Sequence, residues 1–396
     1  MYSKYAIQYF VWNNLKQPTF NDCLSADERR LRDRRYPRCS VPRWMDSLFK
    51  FLLDSRNEQS LLNATGLTFA SFEELLLAFE PYYYGHTFDV MTSQVRQVKR
   101  MNGRKRELPA EGALGLVLVW YRTRGCVARG LQHFFGMTGS AIYKWLRFSR
   151  KILLYAMQER VPESAVKKPS REEVEIYASA VSALYPVLQD EKIWGAADGI
   201  KLSIQGSSNY LKQNRNFNGW YHGHYINCVF VFGVDGKIRI CSLNTPGTWH
   251  DSTISDYGVY DSLEAVFLQS NGKVVVDSAF KLENKRYLLK SSQHDPIGLP
   301  LQVSINRAAT SVRQLSEWGM RMIQAQFPRL KDPLLYEENG ERRVILALMT
   351  RLYNYNVSKV GVNQILNVFM REEQGNYSYF GGRMIDENAN NLLVYH

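Results

Sequence analysis

The hydrophobic period of the chain changes once, near residue 170. Up to about residue 95 apolar side chains recur at helical spacing. "SFEELLLAF" (71–79) sets Phe72, Leu75, Leu76 and Phe79 on one face, and the pair Ser71 and Glu74 reads as a capping box opening that helix. From 108 to 158 three more helical segments follow: "PAEGALGLVLVWYR", "VARGLQHFFG" and "GSAIYKWLRFSRKILLYAM". The last two are joined by Gly136-Met137-Thr138, so that a short helix, a glycine-containing turn and a longer Thr-capped helix give the pattern of a helix-turn-helix. On the longer helix Ile142, Trp145, Leu146 and Ser149 share the inward face. Ser140, Tyr143, Lys144, Arg147 and Lys151 point outward, which suits base edges and phosphates in a major groove. The alternative is a plain helical hairpin packed into a bundle.

"VPESAVKKPSREEV" marks a boundary and ends in a second capping box, Ser170 to Glu173. Beyond it strand-like runs take over: "IWGAADGIKLSI" (193–204), "HYINCVFVFGVDG" (224–236), "KIRICSLNT" (237–245) and "GKVVVDSAF" (272–280). Val234-Asp235-Gly236-Lys237 reads as a hairpin turn between the second and third. An amphipathic, helix-like run, "DSTISDYGVYDSLEAVFLQ", separates the third from the fourth. Three antiparallel strands, a helix, a further strand and then helices predict a mixed α/β layer fold preceded by an all-helical region. The units expected are a helical region over 1–95, a basic linker with the helix-turn-helix over 96–165, the α/β domain over 170–375 and a tail over 376–396.

Charge sharpens this picture. The chain carries a net charge of +12, which points to a polyanionic partner. Seven arginines fall in "RRLRDRRYPRCSVPR" (29–43). Arg96, Lys99, Arg100, Arg104, Lys105 and Arg106 crowd into "RQVKRMNGRKR" beside the helix-turn-helix. A lone charge run is usually solvated surface, but two of them next to that helix favour double-stranded DNA. The second run also fits a nuclear import signal, and a nuclear location is expected. No apolar run is long enough to span a bilayer and no signal peptide is expected at the N-terminus. Five scattered cysteines, none in a CxxC pair, argue against a disulfide framework or a zinc knuckle and fit a reducing compartment.

The chemistry must come from carboxylates. Asp198 lies in the first strand among Gly195, Ala196, Ala197 and Gly199, and Asp277 ends the apolar run Val274-Val275-Val276. Such a carboxylate needs a hydrogen bond, a counter-charge or a cation to stay ionised. On neighbouring strands the two would converge at one end of the sheet and could hold a divalent metal through oxygen. A two-metal site needs a further acid from a later element. Glu317 in "SVRQLSEWGMRMIQAQF" is the candidate, flanked at helical spacing by Arg313 and Arg321, where an ordinary ion pair is the competing reading. In "NTPGTWHDSTI" (244–254) the neighbours His250 and Asp251 are surplus to that set. Asp251 there suits a helix N-cap or a place beside the metal ligands, with His250 orienting the site and direct ligation as the alternative. His222 and His224 in "WYHGHY" would share a strand face, but lack a third ligand and suit packing or DNA-backbone contact better than zinc. Arg215, in the polar stretch "QNRNFNGWYHGH", is placed to touch the substrate strand.

These pieces together carry a resemblance. "ADGIKLSI", "NFNGWYHGHYIN", "FGVDGKI", "NTPGTWHDSTI", "VVVDSAF" and, more loosely, "RQLSEWGMRMIQAQFPRLK" resemble the successive motifs of PIF/Harbinger transposases, members of the DDE superfamily with an RNase H-like catalytic domain. The similarity covers roughly residues 70 to 370. It implies a catalytic and metal-binding triad of Asp198, Asp277 and Glu317, two Mg²⁺ (or Mn²⁺) ions, nicking of DNA at transposon ends and strand transfer. It further implies a possible Myb-like accessory protein and a homodimer handling two ends. The competing expectation is a domesticated DNA-binding protein that keeps the scaffold without cutting.

Overall fold

The computed structural model describes residues 43–89, 94–97, 106–125, 127–207, 209–291, 300–335, 339–360, 364–370, 377–380 and 383–386. The arginine-rich segment 29–42 and Lys99, Arg100, Arg104 and Lys105 lie outside the described residues.

The helical part opens with α1 (Leu48–Asp54), α2 (Glu58–Thr65) and α3 (Phe69–Gly85). The capping box expected at Ser71 is not what starts α3. Thr68 caps it instead, its hydroxyl accepting from the Ser71 N–H, and Ser71 is buried inside the first turn. The earlier start lets Leu67 and Phe72, at the two positions of a hydrophobic staple, both be buried. A hairpin of β1 (His86–Asp89) and β2 (Gln94–Gln97) follows, where a helix and then a linker were expected. Thr87 and Val95, β-branched, suit the two short strands. Next come α4 (Ala110–Arg122), α5 (Val127–Phe135), α6 (Gly139–Arg160) and α7 (Arg171–Leu184). Thr138 caps α6 and the Ser170–Glu173 box closes on both sides at α7.

The α/β part runs β3 (Ile193–Ser203), α8 (Tyr210–Asn216), β4 (Phe217–Asn218), β5 (Gly223–Gly233) and β6 (Ile238–Pro246). It continues with α9 (Asp251–Ser255), α10 (Val259–Ser270), β7 (Lys273–Val276), β8 (Leu288–Lys290), α11 (Pro300–Gln326), α12 (Asn339–Val360) and α13 (Gln364–Phe369). A last hairpin pairs β9 (Tyr377–Phe380) with β10 (Arg383–Asp386). β5 pairs antiparallel with β3 on one side and β6 on the other, and β5 and β6 are joined at Gly233–Lys237 by the expected tight turn with Gly236 at φ +78°. β7 and β8 add on parallel to the free side of β3. The expected helix after β6 is broken at Gly258 (φ +102°), which separates α9 from α10.

α12 fastens the two parts to each other. Its Asn354, fully buried, accepts from the Ile238 N–H and donates to the Ile238 and Ala165 carbonyls, so the edge of β6 is closed by a side chain. The Tyr121 hydroxyl donates to the Ile345 carbonyl and that of Tyr355 to the Ser71 carbonyl, each at 2.7 Å. Helical region and sheet therefore share one apolar core across the boundary at 165–170.

Candidate active site

The parallel register of β3 and β7 decides where the first two acids meet. Ala196 pairs with Val275, so Asp198 and Asp277 each follow two residues on, at the same end of strands about 4.8 Å apart. The Asp198 carboxylate accepts from the Gly199 N–H at 2.8 Å, and that of Asp277 accepts from the Ala279 N–H at 2.9 Å.

Asp251 arrives from a third element. β6 ends at Pro246, and Gly247 lets the chain turn against β5. A Cβ there would stand 2.2 Å from the Tyr225 carbonyl oxygen and 2.9 Å from that of Asn216, so only glycine fits. His250, not Asp251, is the residue that caps α9, and no side-chain bond caps it. The Asp251 carboxylate instead lies over Gly199, whose absent Cβ would sit 2.3–2.6 Å from its atoms. The glycine after Asp198 is thus the space that brings a third carboxylate to the site.

Electrostatics reports the same convergence. Burial pushes the Asp198 carboxyl up to about 6; the Gly199 N–H opposes this, the charges of Asp277 and Asp251 add to it, and Arg313 offsets part. Asp251 is also raised, first by burial; Lys201 and His250 lower it and Asp277 raises it further. All three aspartates therefore act on one another. Glu317, on the helix packed across the sheet where Gly319 meets the Phe232 ring, is engaged by Arg313 at 2.9 Å. Arg313 thereby pairs with the glutamate and also acts on Asp198.

Among the described residues, no three His, Cys, Asp or Glu side chains already stand at metal-ligand spacing. The donor set nonetheless fits a hard divalent cation: half-buried carboxylates, mutually repelling, with one arginine as partial counter-charge. Sequence reasoning expected Asp198 and Asp277 to converge and gave Asp251 a helix N-cap or a place beside them, with direct ligation as the alternative. The signal it passed over was Gly199, a residue with no side chain next to a site acid.

Residues 197–354 match the family of DDE superfamily endonucleases. The match takes in Asp198, Asp251, Asp277 and Glu317 but spans less than half of the chain. No curated protein and no solved structure matches the chain. An endonuclease domain of this superfamily implies a DNA substrate and generally works with divalent metal. Among the described residues, no helix is long and apolar enough to cross a membrane.

The expected DNA contacts divide. Ser140, Tyr143 and Lys144 are exposed on α6, and Arg96 and Arg215 are exposed on β2 and α8. Arg147 and Lys151 do not point to open solvent as expected. Both reach the buried Glu341 of α12, at 3.3 and 2.7 Å, together with Arg150 at 3.7 Å. Their partner lies far along the chain, out of reach of any local pattern. Arg106 is also internal: it donates to the Tyr83 and His86 carbonyls and packs 4.4 Å from the Tyr83 ring centre. His222 lies in a turn before β5, so it does not share a strand with His224.

Proposed function

We propose that this chain is a transposase of the PIF/Harbinger type, cutting DNA at transposon ends and joining those ends to target DNA. The observation that carries this reading is the meeting of Asp198, Asp277 and Asp251 at one end of the sheet, with Arg313 and Glu317 beside them. Two Mg²⁺ (or Mn²⁺) ions, bound there, would supply an activated water or 3′-hydroxyl and stabilise the leaving oxygen. The protein's own part is to hold the donors. Asp198 and Asp277 are fixed by backbone N–H groups, and Asp251 is seated by Gly199. Asp251 is assigned as a direct ligand alongside Asp198 and Asp277. Glu317, paired with Arg313 one helical turn back along α11, is assigned as the fourth. His250 lowers the charge cost of Asp251. The exposed face of α6, with Ser140, Tyr143 and Lys144, contacts the terminal repeat, and Arg96 and Arg215 meet phosphate. The same reading brings a nuclear location, a homodimer that pairs two ends and a Myb-like accessory protein.

The test is nicking of a labelled duplex carrying the inverted repeats that flank the gene. Mg²⁺- or Mn²⁺-dependent nicks are expected, with complete loss in Asp198→Asn, Asp277→Asn and Asp251→Asn. Unchanged nicking in the first two variants overturns the proposal. Tight binding with no nicking under any metal assigns the chain to domesticated DNA-binding proteins instead.

A further inference from the structure

Next to the acids, and sharing Asp251 with them, the surface opens into a cavity of about 540 Å³ walled by Phe217, Trp220, Tyr221 and Trp249, with Lys201 at its edge. That volume falls within the roughly 300–1,000 Å³ of sites that take small organic molecules. A duplex, with its bases stacked inward, cannot enter it. Trp249 packs against the core, but the other three walls do not: Trp220 is 87% exposed, Tyr221 54% and Phe217 41%. Single exposed aromatics are ordinary on a protein surface, but three within five residues, from β4 through the turn beside a charged centre, form a patch that calls for a partner.

The turn that presents them is held in place. The Asn218 side-chain oxygen accepts from the Trp220 and Tyr221 N–H groups at 3.1 and 3.2 Å, and its amide donates to the Gly247 carbonyl at 3.1 Å. His222 closes the turn in the left-handed region at φ +48°. The same Gly247 turn leads to Asp251, so one backbone connection fixes the distance between aromatic wall and acid. The Lys201 ammonium stands 5.0 Å from the Tyr221 ring centre and also acts on Asp251, which places a cation between wall and acids.

We propose that this cavity receives one unstacked nucleobase of the strand being cut, stacked on Trp220 and Tyr221, with Lys201 meeting the adjoining phosphate. Every base offers a flat π-face, so stacking of this kind holds a strand without reading its sequence. Drawing a base out of the duplex also frees the backbone beside it from the helical path and delivers its phosphate to the aspartates. Trp220 and Tyr221 are positioning residues. The fate of the phosphate rests on the nuclease reading; capture of the base does not.

The experiment uses the full chain in EDTA, so that binding is read without cleavage. Affinity is measured for a blunt duplex and for the same duplex with a 3′ overhang carrying 2-aminopurine, whose fluorescence reports stacking. The overhang is expected to bind more tightly and its 2-aminopurine signal to be quenched. Trp220→Ala and Tyr221→Ala should each weaken overhang binding by about 5- to 150-fold, the range for loss of one base–aromatic stack. Blunt-duplex binding, which must also meet the cost of unstacking a base, should fall less than overhang binding, and Trp220→Phe should keep the preference. Because Trp220 is exposed, an unchanged melting temperature checks the fold. No preference for the overhang, no binding of either DNA, or equal loss of both overturns the proposal. Stacking without any metal-dependent nicking would remove the nuclease reading and leave the pocket. Nicking with unaltered KM in both alanine variants would do the reverse.

Discussion

The aspartate cluster costs the metal-free protein stability, and the cost can be read from one isostere. Asp198→Asn keeps an oxygen able to accept the Gly199 N–H bond while removing the charge. The carboxyl is raised from 3.8 to about 6. A raised carboxyl means the folded chain holds its proton where the unfolded chain has released it. Nothing is lost below about pH 4; stability then falls as pH rises through about 6 and stays low above it. At about 1.4 kcal/mol per unit the full loss near pH 7.5 is about 3 kcal/mol, a ceiling because solvent reaches part of the group. Asp198→Asn should recover most of that and raise the melting temperature in EDTA by about 3 °C. Near pH 4 the two proteins should melt together. Excess Mg²⁺ should stabilise the wild type, by about 2.7 kcal/mol at a hundredfold excess over Kd, and leave the variant where it was. Thermal melts at three pH values, with EDTA or Mg²⁺, measure all of this. A variant no more stable than the wild type near pH 7.5, or a difference that ignores pH, refutes the reasoning.

Two further outcomes follow from the packing. Gly199→Ala puts a methyl where the Asp251 carboxylate lies, so it should abolish the Mg²⁺-dependent rise in melting temperature while circular dichroism shows the fold retained. Glu341→Gln leaves Arg147, Arg150 and Lys151 without their acid, and should cost about 3–5 kcal/mol in urea unfolding, as expected when one partner of a buried ion cluster is removed.

What the sequence disclosed was local. The alternation and small residues of 193–204, the Asp235-Gly236 turn and the Ser170 capping box all formed where the pattern placed them, because neighbouring residues alone decide them. The meeting of Asp198 and Asp277 required only that their strands be neighbours, and the parallel pairing makes them so. Asp251 could be set at a helix N-cap or beside the ligands but not nearer, because its position depends on space: Gly199 leaves room for its carboxylate and Gly247 for the turn that leads to it. The basic residues misled for a related reason. A charge pattern shows which face of a helix is polar, but not that Glu341 waits on α12 to bury Arg147 and Lys151. Arg106 likewise trades solvent for two carbonyls and an aromatic face supplied by α3 and β1. The hairpin at 86–97 escaped because its strands are only four residues long, too short to show a period against the helical run before them.

The central claim, that three strand-end and loop aspartates form one metal site, is tested most directly by replacing Mg²⁺ with Fe²⁺ and generating hydroxyl radicals at the bound ion. Backbone scission is predicted around residues 198, 251 and 277, and near 317 where the fourth acid joins them, suppressed by excess Mg²⁺ and absent in Asp277→Asn. Scission that misses the 251 region, or that persists in the variant, would contradict it.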